Sequence, residues 1–406
     1  MVEERNLFST ATTHIVRTGL VLLALATAIA WPDESSPAAA SAPTATTPNF
    51  KVAFIGDQSV GANAAAVLKL IANEGADMVL HQGDLGYGDE TDPQRAIDWD
   101  AQVTAALGAD FPYFASIGNH DVGNWSTYQQ LLEDRLALVL GASCTGDYGV
   151  KAACTYQGLF FILSGVGTTG TGHTTYITDE LTQDTSIWRV CTWHKNQNAM
   201  QVGSKPDEAG WDPYEACREG GAIVATGHEH SYSRTKTLTN LQSQSIDQDW
   251  PSTNTLRVSN GSTFVFVSGL GGRSIRDQDR CLPTTPPYGC NGEWASIDTS
   301  DQGATYGALF IEFNVNGEPD LANGYFKNIS GATIDTFTVR SQLAKPVGGV
   351  AEQPGAADAD AEFDDARSSG TNAGPLISIA AAALAVALGG AAWRARRRAG
   401  RNSHEG

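Results

Sequence analysis

Five polar residues of metal-binding type, Asp57, Asp84, Asn119, His194 and His228, each stand just past a short apolar run. The runs Lys51 to Ile55, Met78 to Leu80 and Tyr113 to Ile117 read as buried strands. They close on Gly56-Asp57, Gly83-Asp84 and Gly118-Asn119-His120. Between and after them, Ala64 to Asn73, Pro93 to Leu107 and Tyr128 to Leu140 have helical spacing. Strands alternating with helices indicate an α/β layered fold. The second half adds β-like runs at Gly158 to Ser164, Trp188 to Trp193, Ala222 to Ala225, Thr263 to Ser268 and Ala308 to Val315. A helix is expected over Trp211 to Glu219. Two sheets packed face to face with helices outside suit this count. Ligands of α/β sheets bind beyond the carboxyl ends of the strands. Five such ends with ligand-type side chains therefore predict one shared site.

Taken singly, each of these residues is weak evidence. An Asp after a strand commonly caps a helix or makes a turn. The ordered set says more: three glycine-led strand ends, then His194, then Gly227-His228-Glu229-His230. Glycine lets the backbone turn sharply while the next side chain points into a site. Hard oxygen donors with imidazoles suit Fe, Mn or Zn, and two metals roughly 3.5–4 Å apart can clamp a phosphoryl group.

The set Gly56-Asp57, Gly83-Asp84-Leu85-Gly86-Tyr87, Gly118-Asn119-His120-Asp121, His194 and Gly227-His228-Glu229-His230 resembles the calcineurin-like metallophosphoesterases. Among them it is most similar to the purple acid phosphatases. The likeness covers about residues 50 to 235 by motif, and its fold would extend to 340. It implies an α/β fold, a four-layer sandwich of two mixed β-sheets flanked by helices. It also implies a metal pair bridged by Asp84. One metal would take Asp57, Asp84, Tyr87 and His230, and the other Asp84, Asn119, His194 and His228. Tyr87 is the telling member. Many of the family place a His two residues after the first Asp, where Ser59 stands here. Purple acid phosphatases lack that His, usually have Gly there, and use a tyrosinate three residues after the bridging Asp. Tyrosinate favours Fe(III), so the resemblance implies Fe(III) plus a divalent Fe, Zn or Mn. It implies phosphomonoester hydrolysis by a metal-bound hydroxide attacking phosphorus in line. His120 falls outside the ligand set. Its expected role is phosphate-oxygen stabilisation or proton donation, and the alternative is support of a ligand.

Other residues are expected to do less. His81 reads as core or as support for a ligand. His173 follows the Gly/Thr-rich run Gly165 to Gly172, which could form a loop at the site mouth. Glu229 is expected to point away, toward a helix or solvent. Trp193 and Tyr232 flank ligands and are expected to pack. Gly269 to Gly272 lacks the Lys-Ser/Thr ending of a nucleotide loop and reads as a turn.

The ends speak about location. Thr18 to Ala30 is a short apolar segment behind Arg5, His14 and Arg17, with Ala28-Ile29-Ala30 as a small-x-small cleavage site. That is the layout of a signal peptide over 1–30, the alternative being an uncleaved anchor. Residues 31–48 read as a flexible spacer, too short for the extra β-sandwich that precedes the plant-type catalytic domain. The catalytic domain is expected over 49–342 and a disordered stalk over 343–375. Residues 376–393 form an apolar run followed by Arg394, Arg396, Arg397, Arg398 and Arg401. This order predicts a transmembrane helix with a basic cytoplasmic tail over 394–406, the alternative being a sorting tail that is removed. The catalytic domain would then face outside the cell.

Six cysteines fit that compartment. Cys144 with Cys154 and Cys281 with Cys290 are expected as short staples. Cys191 and Cys217 either pair or remain buried thiols. Asn124-Trp-Ser126, Asn260-Gly-Ser262 and Asn328-Ile-Ser330 match the glycosylation pattern for a eukaryotic host. A formal charge of −19 argues against a nucleic-acid backbone as the main partner, and the resemblance implies a phosphate ester substrate. The same metals would also serve a phosphodiesterase or nucleotidase. A membrane-tethered protein that binds phosphate without turnover is the third reading. Oligomeric state is not legible in the sequence.

Overall fold

The apolar runs become the central strands of two sheets. In chain order the strands are β1 (Phe50–Ile55), β2 (Met78–His81), β3 (Tyr113–Ala115), β4 (Ser143–Asp147), β5 (Lys151–Tyr156), β6 (Leu159–Ser164), β7 (Arg189–Trp193) and β8 (Ile223–Thr226). They continue as β9 (Tyr232–Thr235), β10 (Leu238–Asn240), β11 (Ser245–Ile246), β12 (Thr255–Val258), β13 (Val265–Ser268), β14 (Trp294–Asp298), β15 (Gly307–Phe313), β16 (Leu321–Asn328) and β17 (Thr333–Ser341). The helices are α1 (Ala62–Glu74), α2 (Gln94–Leu107), α3 (Trp125–Leu136), α4 (His173–Gln183) and α5 (Asp212–Glu219). The structure is a computed structural model that describes residues 44–343. The expected signal peptide, most of the spacer, almost all of the stalk, the apolar run 376–393 and the basic tail lie outside the described residues. Among the described residues no helix is long and apolar enough to cross a membrane.

One sheet runs β12-β17-β16-β15-β1-β2-β3 and the other β14-β9-β13-β8-β7-β6-β5-β4. Strands β1, β2 and β3 are parallel, and so are β6, β7, β8 and β13. Both sheets are mixed, because β15 joins β1 antiparallel and β9 joins β13 antiparallel. Helices α1 and α3 pack on the first sheet, and α4 and α5 on the second. The expected α/β sandwich is the fold observed.

Aromatic side chains fill the space between the sheets. Phe54 meets Phe266 edge-on at 5.1 Å, Phe114 meets Phe161 at 4.7 Å, and Trp188 meets Phe313 at 5.1 Å. Such contacts add to the burial of large apolar surfaces. One polar clamp crosses the same layer. Arg234 on β9 donates through Nε and Nη2 to Asp335 on β17, at 2.6 and 2.9 Å. The Tyr232 hydroxyl donates to the same carboxylate at 2.7 Å, and Phe337 stacks under the guanidinium at 4.3 Å. Tyr232 itself stacks on Phe326 at 4.1 Å, so it packs between the sheets as expected.

The elements differ from the sequence reading at several places. Helix α3 starts and stops earlier than Tyr128 to Leu140. The apolar residues Leu138 and Leu140 that extended the pattern are exposed beyond its end. Helix α4 was not expected, because its Thr-rich sequence has poor helix propensity. Thr178 and Thr182 bond back to the carbonyls four residues earlier. Strands β4, β5, β9 to β12, β14, β16 and β17 also went unread; β16, for one, alternates buried positions with less buried ones and carries few strongly apolar residues. All three cysteine pairs are closed, including Cys191–Cys217. Of the three glycosylation triplets, Asn124 and Asn328 are buried and only Asn260 is exposed.

Removing one end of a buried ion pair strands the other charge, at a cost of about 3–5 kcal/mol. Arg234→Met should lose stability on that scale. Adding Asp335→Leu should recover most of the loss. Denaturant unfolding of both variants checks this.

Candidate metal centre

The parallel strands deliver their carboxyl ends to one place. Asp57 follows β1, Asp84 follows β2, Asn119 follows β3, His194 follows β7, and His228 follows β8. Asp57, Asp84 and His228 have φ of 57°, 59° and 67°. Left-handed backbone in a non-glycine residue costs of order 1–3 kcal/mol and tends to gather at functional sites. Glycine is required beside them. A Cβ on Gly118 would lie 2.0 Å from the Asp84 nitrogen and 2.2 Å from its Oδ1. The buried Asp121 then fixes the turn. Its Oδ2 accepts from the amides of Asp84 and Gly118, at 2.9 and 2.8 Å, and its Oδ1 from Leu85 at 2.9 Å. Burial and the neighbouring Asp84 push the Asp121 carboxyl up to about 7.

The side chains form two sets that share Asp84. In the first, the Tyr87 hydroxyl lies 2.9 Å from Asp57 Oδ1 and 2.9 Å from Asp84 Oδ2. His230 Nε2 lies 3.2 Å from that hydroxyl and 3.1 Å from Asp57 Oδ1. In the second, His194 Nε2 lies 3.2 Å from Asp84 Oδ2 and 3.1 Å from His228 Nδ1. Ligand atoms of Asp84, His194 and His228 all fall within 4.8 Å of one another. Asn119 Oδ1 is buried with no hydrogen-bond partner.

Each imidazole is aimed by a bond from its other nitrogen, the usual arrangement around a metal. His194 Nδ1 donates to the Gln82 carbonyl at 2.8 Å. His228 Nε2 donates to Glu208 Oε2 at 2.8 Å, and Lys195 Nζ holds Glu208 Oε1 at 2.6 Å. His230 Nδ1 bonds to the Ser274 hydroxyl.

The charges of the site respond to one another. Burial opposes charge on Asp57, yet His230, His194 and His228 hold its carboxyl well below the usual range. Burial likewise opposes charge on His194, but Asp84 beside it raises it to about 9. Burial and the nearby His194 lower His228 to about 3. Burial, Asp57 and Asp84 push the Tyr87 phenol far up. Two buried carboxylates, an orphaned amide oxygen, a phenol and three oriented imidazoles fit a pair of hard or borderline cations.

Residues 50–232 match the family model of the calcineurin-like phosphoesterases. The matched stretch carries all seven of the donor residues. A dinuclear metal centre is what this match implies, and it suits the donor sets. The purple acid phosphatase from yellow lupin (Lupinus luteus) seeds shares the fold at a TM-score of 0.51 and 17% identity, over 76% of this chain. This chain spans 58% of the lupin enzyme's length. The structure of PhoD matches at a TM-score of 0.50 and 15% identity, over 77% of this chain and 74% of PhoD. No curated protein sequence matches.

The remaining candidates fall out as follows. His120 stands at the mouth, 36% exposed, with Nε2 4.0 Å from Asp84 Oδ2. Its Nδ1 is engaged by Glu90, and its ring lies 4.5 Å from that of Tyr87. His81 is a support: its Nδ1 accepts from the Gly83 amide at 3.0 Å. His173 opens α4 rather than lining the mouth as a loop residue. Its ring nitrogens are taken by Ser164 Oγ and the Thr169 carbonyl, at 3.1 and 2.9 Å. Glu229 is fully buried, not turned to solvent, with both oxygens lacking a hydrogen-bond partner. Trp193 packs edge-on against Tyr214 at 4.8 Å. Gly269 to Gly272 is more than a turn, since the Gly271 amide donates to the Gly56 carbonyl at 3.0 Å. The sequence reading quoted Asp121 without giving it a role and missed Glu208, Ser274 and Glu90, which touch the expected site residues through bonds that no spacing announces.

Ligation needs a neutral His194, which carries a proton below about pH 9 in the cation-free protein. Metal affinity should therefore rise with pH between 6 and 8, by up to about tenfold per unit. Titration calorimetry in buffers of different ionisation enthalpy should register the released proton.

Proposed function

We propose that this chain is an exported dinuclear metal-dependent phosphatase that hydrolyses phosphomonoesters. The observation that carries the reading is the Asp84 carboxylate, which lies within 3.2 Å of both Tyr87 and His194 and so belongs to both donor sets. On this reading Asp57, Asp84, Tyr87 and His230 hold one cation, and Asp84, Asn119, His194 and His228 the other. A bound metal pair supplies Lewis acidity and acidified water for phosphoryl transfer. The protein's own groups do the rest. Asp121 and Gly118 fix the shared carboxylate. Gln82, Glu208 and Ser274 hold the imidazoles in their tautomers. His120, steadied by Glu90, meets a phosphate oxygen or hands a proton to the leaving oxygen.

Tyr87 supports Fe(III) as the first metal. Its phenol is wedged between Asp57 and Asp84, which disfavour ionisation. A strongly charged cation is needed to turn it into a tyrosinate ligand. The second metal is a divalent Fe, Zn or Mn on the donor chemistry. Tyr87 also supports monoester chemistry, because it is the ligand choice of the purple acid phosphatases. Export is supported by three disulfides and by the absence of a free cysteine among the described residues. We place residues 376–393 in a membrane and the basic tail behind them in the cytoplasm, with the catalytic domain outside.

Metal-loaded protein should hydrolyse an aryl phosphate at least about tenfold faster, in kcat/KM, than the corresponding bis-aryl ester. The reverse order would make it a diesterase, and phosphate binding without turnover would make it a binding protein. His120→Ala should lower kcat by about a hundredfold. Metal analysis of that variant should still find both ions; their loss would place His120 among the ligands.

A further inference from the structure

The mouth of the centre is electrically lopsided. On the His120 side two exposed carboxylates, Asp89 and Glu90, stand with one cation, Arg95. On the His230 side stand three cations from two loops that the sequence reading passed over. Arg273 lies with its guanidinium carbon 4.6 Å from the centre of the Tyr87 ring, and its amide donates to the Asp57 carbonyl at 3.0 Å. The Arg276 amide donates to the His230 carbonyl at 3.0 Å. Lys205 is half-buried two residues beyond Gly203, where a Cβ would lie 2.5 Å from the carboxylate carbon of Glu229.

These cations are held but not neutralised. Among the described residues, neither Lys205 nor Arg273 has a carboxylate within 4.0 Å. Arg276 has only Glu229, at 3.7 Å, too far for a hydrogen bond. In a chain with 45 acidic residues against 26 Lys and Arg, carboxylates are not scarce. The two loops also brace each other. The amides of Asp279 and Arg280 donate to the Val202 carbonyl at 3.0 and 2.9 Å. Arg280 Nη1 donates to the carbonyls of Asn198 and Gln201 at 2.6 and 2.8 Å. The cations therefore sit on a fixed rim beside the ligands Asp57, Tyr87 and His230.

We propose that Lys205, Arg273 and Arg276 form a subsite for a second anionic group carried on the leaving group of the substrate. The inference rests on the phosphomonoesterase reading and narrows its substrate class to phosphate esters with a carboxylate or similar anion near the scissile bond. Glu208 does not compete for these cations, since Lys195 and His228 already occupy its oxygens. The field of the whole chain, at −19, repels an extra negative charge, so any preference for it must arise locally.

The test compares 3-carboxyphenyl phosphate with 3-carbamoylphenyl phosphate, which match in size and differ in charge. Metal-loaded wild type should favour the carboxylate by about tenfold in kcat/KM, the scale of one charge-assisted hydrogen bond. The ratio should fall toward one in Lys205→Met, in Arg276→Gln and in their double variant, whatever their absolute rates. A ratio near one in wild type overturns the subsite. A ratio unchanged in the variants does so too. Equal loss on both esters would instead assign these cations to the transferred phosphoryl group and overturn the proposal. If wild type hydrolyses neither monoester but does cleave a bis-aryl ester, the parent reading fails and the subsite falls with it.

Discussion

The structure turns on where the Asp84 carboxylate is put. Its Oδ2 meets Tyr87 from one side and His194 from the other, and its Oδ1 accepts the His120 amide at 2.9 Å. No side chain could hold that post if its backbone were free to relax. The left-handed turn, the missing Cβ at Gly118 and the Asp121 carboxylate under two successive amides remove that freedom. Energy stored in the turn is recovered from the surrounding hydrogen bonds and packing.

The two sheets make this placement possible. Parallel strands from each send their ends to the same rim, β1, β2 and β3 from one and β7 and β8 from the other. A shift of one sheet against the other would pull the two donor sets apart. Packed aromatics resist it without direction, whereas the Arg234–Asp335 clamp resists it with defined geometry. The clamp lies among Tyr232, Phe326 and Phe337, so its charges are shielded from water and hold one arrangement.

Much of this was legible in the amino-acid sequence. Apolar runs ending in Gly-Asp, Gly-Asn and Gly-His announced both strands and donors, because those turns demand glycine and project the next side chain. The pairing of Cys144 with Cys154 followed from proximity, and that of Cys191 with Cys217 did not. The supports were illegible for a different reason. Glu208 reaches His228 across 20 positions and Ser274 reaches His230 across 44, so only the folded topology joins them. Helix α4 hid behind threonines whose helical state depends on packing of His173, Ile177 and Leu181 rather than on propensity. Leu138 and Leu140 misled in the opposite sense, being apolar and exposed.

The knot of Asp57, Asp84 and Tyr87 has a further consequence. Two fully enclosed carboxylates flank a phenol that donates to both, and imidazoles and the amides of His120 and His228 temper their repulsion. Only the fold brings the phenol within 2.9 Å of both carboxylates, so cations that use all three side chains bind the native state alone. Heat resistance should accordingly track ion occupancy by mass action, which makes the melting temperature a gauge of how full the centre is.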